Sequence, residues 1–264
     1  MSAAIRTDSD NVTKPKPAGG SRSSVAVWAL WLAVAAGAAL AMAGPLFRME
    51  MTGLMTSFSI LRFAPIASIG IALIALAGLA EARVLSDGKG VLKAIGALVI
   101  CAIVIALPLR QRLNAMGVPP IHDITTDTQD PPVFADVLPL RQDAPNPADY
   151  DKDGGEQLAS AQTAAFPDIK PLELSIPPSE AFDNALAVAK KMGWDIVAEA
   201  KADGRIEATA TTFWFGFKDD VVIRIRDAAN GSRVDIRSES RIGRSDTGVN
   251  AKRVRAFLAA MQNR

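Results

Sequence analysis

Residues 25–44 form a run of twenty without a single charge. As a helix rising 1.5 Å per residue, such a run is about 30 Å long, the thickness of a bilayer's hydrocarbon core. Two more apolar runs follow, at 63–80 and 91–109. Pro65 is tolerable in the first turn of one, and Lys93 lies close enough to the end of the other to reach the headgroups. The sequence therefore predicts three membrane-spanning helices within residues 25–112. A basic tail before one apolar run would also describe a cleaved signal peptide, but this run is too long and has two successors. Small residues at four-residue spacing, such as Ala33, Gly37 and Ala41, suit close helix packing in lipid. No span carries a charge near its centre, so no residue marks an ion or proton path.

Residues 1–24, polar and bearing Lys, Pro, Gly and Ser, read as a disordered tail. Met51, Leu54, Met55, Phe58 and Leu61 share one helical face, with Glu50, Thr52 and Arg62 largely off it. That pattern describes either a short interfacial helix or a packed loop. Orientation follows from the Lys and Arg residues beside the spans. Arg6, Lys14, Lys16, Arg22, Arg83, Lys89 and Lys93 lie on one side; Arg48, Arg62, Arg110 and Arg112 lie on the other. The larger set belongs in the cytoplasm, which predicts a multi-pass membrane protein with a cytoplasmic N-terminus and a C-terminal domain on the outside. The bilayer is its first expected partner.

Residues 118–264 carry 18 Lys/Arg and 23 Asp/Glu, a mildly acidic balance that argues against nucleic acid as a partner. This length suffices for one ordinary soluble core. The only cysteine, Cys101, lies in the third apolar run, so neither an intrachain disulfide nor a cysteine zinc site is available.

The C-terminal part is organised around residues 204–241. Val221, Ile223 and Ile225 alternate with Val222, Arg224 and Arg226; Val234 and Ile236 alternate with Arg233, Asp235 and Arg237. Period-two alternation gives a strand one buried and one wet face. Asn230-Gly231 between the runs is a hairpin signal, because both residues tolerate positive φ. Strands are expected over 194–201, 205–217, 218–227 and 232–241. A helix begins at Pro177-Pro178-Ser179-Glu180, carries the stripe Phe182, Ala185, Leu186, Ala189 and Met192, and ends at Gly193. A last helix runs from about Thr247, with Val254, Phe257, Leu258 and Met261 inward and Ser245 or Asp246 as its cap. The expected class is α+β: three transmembrane helices, then a two-layer domain with a four-stranded antiparallel sheet and two helices. The proline-bearing 118–145 stretch should run extended over the surface, and 146–176 reads as a low-complexity insert or linker with a short helix near 156–165.

Chemistry-bearing residues are few. His122, Asp123, Asp127 and Asp130 form a polar cluster whose residue types could ligate a hard or borderline metal, or could make local turns in a proline-rich segment. Phe213, Phe215 and Phe217 alternate away from Trp214, which joins Ile206 in the core; they either contact a ligand or lipid, or lie under the extended segment. The outer sheet face holds Glu207, Arg224, Arg226, Arg233, Asp235, Arg237, Glu239 and Arg241. Cross-strand ion pairs on a solvated face account for most of these, while the arginine excess, continued by Arg244, leaves room for an anionic partner. Phosphate-loop, serine-hydrolase and zinc-protease motifs are absent, and no cofactor is implied.

Four blocks carry a resemblance: IHDITTDTQDPPVF at 121–134, Phe166-Pro167-Asp168-Ile169, RIEATATTFWFGFKDDVVIRI at 205–225, and SRVDIRSESRIGRSDTGVNAKRVRAFL at 232–258. Together they resemble the family catalogued as domain of unknown function 1499, across nearly all of 118–264. Members similar to this chain often carry N-terminal membrane spans and occur in alphaproteobacteria, which with the charge bias implies a bacterial inner-membrane protein whose C-terminal domain is periplasmic. The resemblance implies that His122, Asp123, Asp127, Phe215, Lys218, Asp219, Arg241 and Ser245 belong to motif blocks; the family carries no established activity to transfer. The expected function is a periplasmic binding or envelope-interaction domain for an anionic or lipid ligand or a membrane-protein partner. The alternatives are a metal-dependent or hydrolytic enzyme using the His122/Asp123 segment, and a membrane-tethered scaffold.

Overall fold

The computed structural model describes residues 22–150, 152 and 154–263. The expected tail therefore lies almost wholly outside the described residues. The chain divides into two compact units. One runs up to Met42 and adds Phe58–Leu107; the other comprises Ala43–Ser57 and Pro108–Arg264.

Three helices, α1 (Ser24–Arg48), α2 (Leu54–Val84) and α3 (Gly88–Met116), are long and apolar enough to cross a membrane. The chain is a membrane protein. Each helix outruns its apolar core, and α2 absorbs Pro65 in its interior. Neither the short interfacial helix nor the packed loop open for 51–61 describes most of that stretch: from Leu54 onward those residues are the first turns of α2. Within the first unit, Ala29, Ala33, Ala75, Ala97 and Cys101 form a closed small-residue seam. A Cβ added at Gly78 would lie 2.7 Å from the Ala26 backbone nitrogen, so only glycine permits that approach. Ala41, expected on the packed face, is exposed; Leu40 takes the inward position with Ala64 and Val104.

The second unit is built on a six-stranded antiparallel sheet, two strands more than the alternation revealed. The four expected strands are β3 (Asp195–Ala200), β4 (Arg205–Thr211), β5 (Lys218–Ala228) and β6 (Gly231–Ser240). The additions are β1 (Asp123–Thr125) and β2 (Leu172–Leu174), each three residues long. Both pair with β6, β1 against 237–239 and β2 against 232–234, so they lie end to end along one edge. Three residues are too few to show a period, which is why neither was legible. α4 (Gly155–Ala165) and β2 fall within 146–176, and Tyr150, Leu158, Phe166, Ile169 and Leu172 from this region join the main core.

α5 (Pro178–Lys191) and α6 (Val249–Gln262) bring Phe182, Val188, Val254 and Phe257 against Ile206, Val221, Ile223 and Ile236. Trp194 stacks on Phe257 with ring centroids 5.8 Å apart. Helix α6 starts two residues later than expected, because Thr247 and Gly248 take φ of 55° and 85°.

The β5–β6 hairpin turns through Ala229 and Asn230, closed by the Ala228–Gly231 pair. Neither turn residue has positive φ; that conformation falls on Gly231, at φ 139°. A Cβ there would sit 2.1 Å from the Leu174 carbonyl oxygen. Gly193, at φ 74° after α5, has nothing within 4 Å of the same added atom. Gly193→Ala is therefore expected to cost about 1–2 kcal/mol, the left-handed penalty alone. Gly231→Ala should cost more, because β2 must also move off β6. Urea midpoints of the two full-length variants, compared with wild type, check the ordering.

Candidate functional site

Much of the sheet face opposite α5 and α6 is covered, with only the arginine end around Arg226 and Arg233 part-exposed. Residues 126–150 run across it, and Glu207, Asp220, Asp235, Arg237 and Glu239 beneath are at most 1% exposed. A solvated charged face was expected. Alternation shows which side chains share a face, but not whether another segment covers that face.

The covering strap brings its own partners. Glu207 accepts the Ala135 and Val137 amides, both at 2.8 Å, and pairs with Arg205. Arg141 from the strap donates to both Glu239 oxygens, at 2.9 and 2.5 Å. Arg237 grips Asp123 through Nε and Nη2 and donates to the Ala148 carbonyl at 2.9 Å. The Phe134 ring lies between Arg237 and Arg141, with centroid distances of 4.9 and 5.4 Å. Arg241 holds Asp220 with two bonds of 2.8 Å and donates to the Leu140 carbonyl. Such a layer satisfies the backbone of a strap that has no ladder of its own.

The predicted arginines are accordingly committed within the chain. Arg224, Arg226 and Arg233 share Asp235 and hold Asp127 or Asp130. The hydrogen bond from Arg226 holds the Asp130 carboxyl below the usual carboxylate range. Arg244 lies exposed in the loop before α6. The His122 cluster is not gathered as a metal site: Asp123 faces Arg237, Asp127 faces Arg233, and Asp130 faces Arg226. Among the described residues, no three His, Cys, Asp or Glu side chains are arranged to hold a metal ion. The His122 carbonyl instead accepts from the Ser240 amide and from Asn250.

Asn250 is one residue that sequence reasoning missed. It is fully buried at the head of the Val254, Phe257 and Met261 stripe, and it bonds Ser238 and Ser240 as well as His122. A polar residue at an inward helical position was an available signal. Its neighbour Arg253 pairs with Asp219 at 2.6 Å. Asp246 caps α6 by accepting the Gly248 and Asn250 amides; burial raises its carboxyl above the usual range despite those bonds.

Residues 212–217 do not continue β4. Thr212 closes them into a loop: its amide donates to the Phe217 carbonyl, and its hydroxyl accepts the Phe217 amide, both at 2.8 Å. Gly216 takes φ 70° within it. The alternation that assigned Trp214 to the core therefore fails here; Trp214 packs edge-on against Phe215, with centroids 5.1 Å apart. Phe215 is buried and stacks on Phe217 at 4.9 Å, while Phe213 is 93% exposed. Phe47, at the end of α1 and in the same compact unit, meets both stacked rings at 5.8 and 5.6 Å. Arg48 donates to the Phe213 carbonyl at 3.1 Å.

These contacts leave a cavity of about 680 Å³ inside the second unit. One wall is 47–48 and 50–53; the other is Thr211, Phe215, Gly216 and Lys218. Phe47, Met51 and Phe215 give it apolar surface. Thr52 and Thr211 add hydroxyls, and Arg48 and Lys218 outnumber Glu50. Lys218 is exposed and has no ion pair among the described residues. Apolar walls with a few convergent polar groups are the usual form of a small-molecule site.

No curated protein and no solved structure matches the chain. The model of the family described as "Protein of unknown function (DUF1499)" matches residues 123–261. That match covers more than half of the chain and takes in the strap, the sheet and both packing helices, so the protein belongs to the DUF1499 family.

Proposed function

We propose that this is an inner-membrane protein whose C-terminal domain faces the periplasm and binds a ligand without transforming it. The carrying observation is the cavity between the 212–217 loop and the end of α1, with its apolar rings and its uncompensated Lys218. Such a lining suits an amphipathic molecule with an anionic end. The buried Asp123 has its carboxylate engaged by Arg237, which leaves the His122 segment poorly placed for hydrolysis. Orientation rests on the excess of Lys and Arg beside the N-terminal and α2–α3 ends of the spans. Three crossings put the α1–α2 connector on the same side of a membrane as the C-terminal domain, which agrees with one compact unit containing both.

Two measurements test this. A C-terminal alkaline phosphatase fusion should be active in cells and a C-terminal cytoplasmic reporter silent; the reverse pattern removes the periplasmic placement. Native mass spectrometry of the full-length chain should show a co-purifying anion or lipid that Lys218→Glu releases. A bare wild-type mass would end the binding reading.

A further inference from the structure

One wall of the cavity has an unusual origin. Only five residues, 49–53, join α1 to α2. Because both helices cross a membrane, chain connectivity alone keeps so short a connector at a membrane surface. The cavity lining includes four of these five residues together with Phe47 and Arg48. The site therefore opens where phospholipid headgroups lie.

A second observation points the same way. Phe213 is the most exposed large apolar side chain described in the C-terminal domain. Its carbonyl is fixed to Arg48, so the ring is held beside the connector rather than on a wandering loop. Gly216 keeps this approach open, since a Cβ there would come within 3.0 Å of the Arg48 side chain. An apolar ring held at headgroup depth buries its surface by entering the boundary between headgroups and acyl chains.

Resting on the binding reading above, we propose that the cavity takes the phosphate headgroup of an anionic phospholipid drawn from the leaflet that the α1–α2 connector faces. Lys218 supplies a mobile ammonium for the phosphate, and Arg48 a guanidinium already oriented by Phe213. The Thr211 hydroxyl donates to one remaining headgroup oxygen, and Thr52 donates to another while accepting from Ser57. Phe47, Met51 and Phe215 line the glycerol and upper acyl region. Phe213 enters the interface beside the bound lipid and keeps the cavity at headgroup depth. The net positive lining selects an anionic headgroup over a zwitterionic one, whose own cation would oppose Lys218.

The test uses full-length protein in detergent micelles doped with equal phosphatidylglycerol and phosphatidylcholine, read by native mass spectrometry. Wild type should retain phosphatidylglycerol at least tenfold over phosphatidylcholine. Lys218→Glu should lose that preference, Lys218→Arg should keep it, and Lys252→Glu, an equal charge change on an exposed face of α6, should leave it intact. Equal retention of the two lipids, or undiminished retention in Lys218→Glu, overturns the proposal. If millimolar inorganic phosphate displaces the lipid, or a soluble anion co-purifies in its place, the lipid source is wrong while the binding site stands. If wild type binds neither lipid nor soluble anion, both readings fall together.

Discussion

Arg237→Met is expected to destabilise the C-terminal domain by about 3–5 kcal/mol, the usual cost of stranding one partner of a buried ion pair. Arg237 is 1% exposed, and Asp123 and Glu239 beside it are fully buried. Burial works against the guanidinium charge, but Asp123 and Glu239 outweigh it and hold Arg237 above its ordinary value. Removing the cation takes the Arg237 counter-charge from Asp123 and leaves Glu239 to Arg141. It also strips hydrogen-bond donors from the Pro132 and Ala148 carbonyls of the strap. Methionine keeps much of the volume between Phe134 and Tyr150, so the loss is electrostatic rather than a cavity effect. The double variant Asp123→Asn with Arg237→Met should recover about 2 kcal/mol of that loss, because the stranded charge is gone. Denaturant unfolding of full-length protein, followed by fluorescence of the core residue Trp194, measures the cycle. An Arg237→Met variant within about 1 kcal/mol of wild type would mean that the layer is wet, as for a surface pair.

The layer also shows where sequence reasoning stops. Strands β3 to β6 were visible because Val221, Ile223 and Ile225, then Val234 and Ile236, keep a two-residue period into one core. The same period put Arg224, Asp235 and Arg237 together on the other face and proposed their ion pairing. It was silent about the strap, since Phe134, Val137 and Arg141 sit among prolines with no period of their own. Those three residues turn a wet face into a second interior. The aromatic loop misled for a related reason. Thr212 to Phe217 alternates well enough to extend β4, and only the Thr212 bonds to Phe217 show that the chain turns there. The cavity was beyond local reading altogether. Phe47 and Phe215 are far apart in sequence, and no periodicity or motif links residues at that separation. The family blocks did bring Phe215, Lys218, Asp219 and Arg241 forward. In the structure they lie around the starting end of β5 and the finishing end of β6, close to where the cavity opens.

Glu239 should make the domain's stability fall as pH rises through the range just below neutrality. Burial, partly offset by Arg141 and reinforced by the neighbouring Asp123 charge, pushes its carboxyl up from 4.5 to about 7. A folded-state value above the unfolded one means that the native protein binds the proton more tightly. The associated stability is complete below about pH 4.5 and is lost as pH climbs to about 7, amounting to roughly 3 kcal/mol at 1.36 kcal/mol per pH unit. Glu239→Gln cannot ionise and should lack this component. Its unfolding free energy minus that of wild type should therefore rise by about 3 kcal/mol between pH 4.5 and pH 8. Other carboxylates titrate in both proteins and largely cancel in the difference. The groups facing Glu239 are Asp123, Arg141 and Arg237, so the variant must also be compared with Asp123→Asn, which removes the like charge and should lower the Glu239 midpoint. Parallel stability curves for wild type and Glu239→Gln would show instead that Arg141 keeps Glu239 ionised throughout. The strap would then be held by the permanent Arg141–Glu239 ion pair, beside the sheet's own Arg237–Asp123 and Arg241–Asp220 pairs, with no proton in the layer.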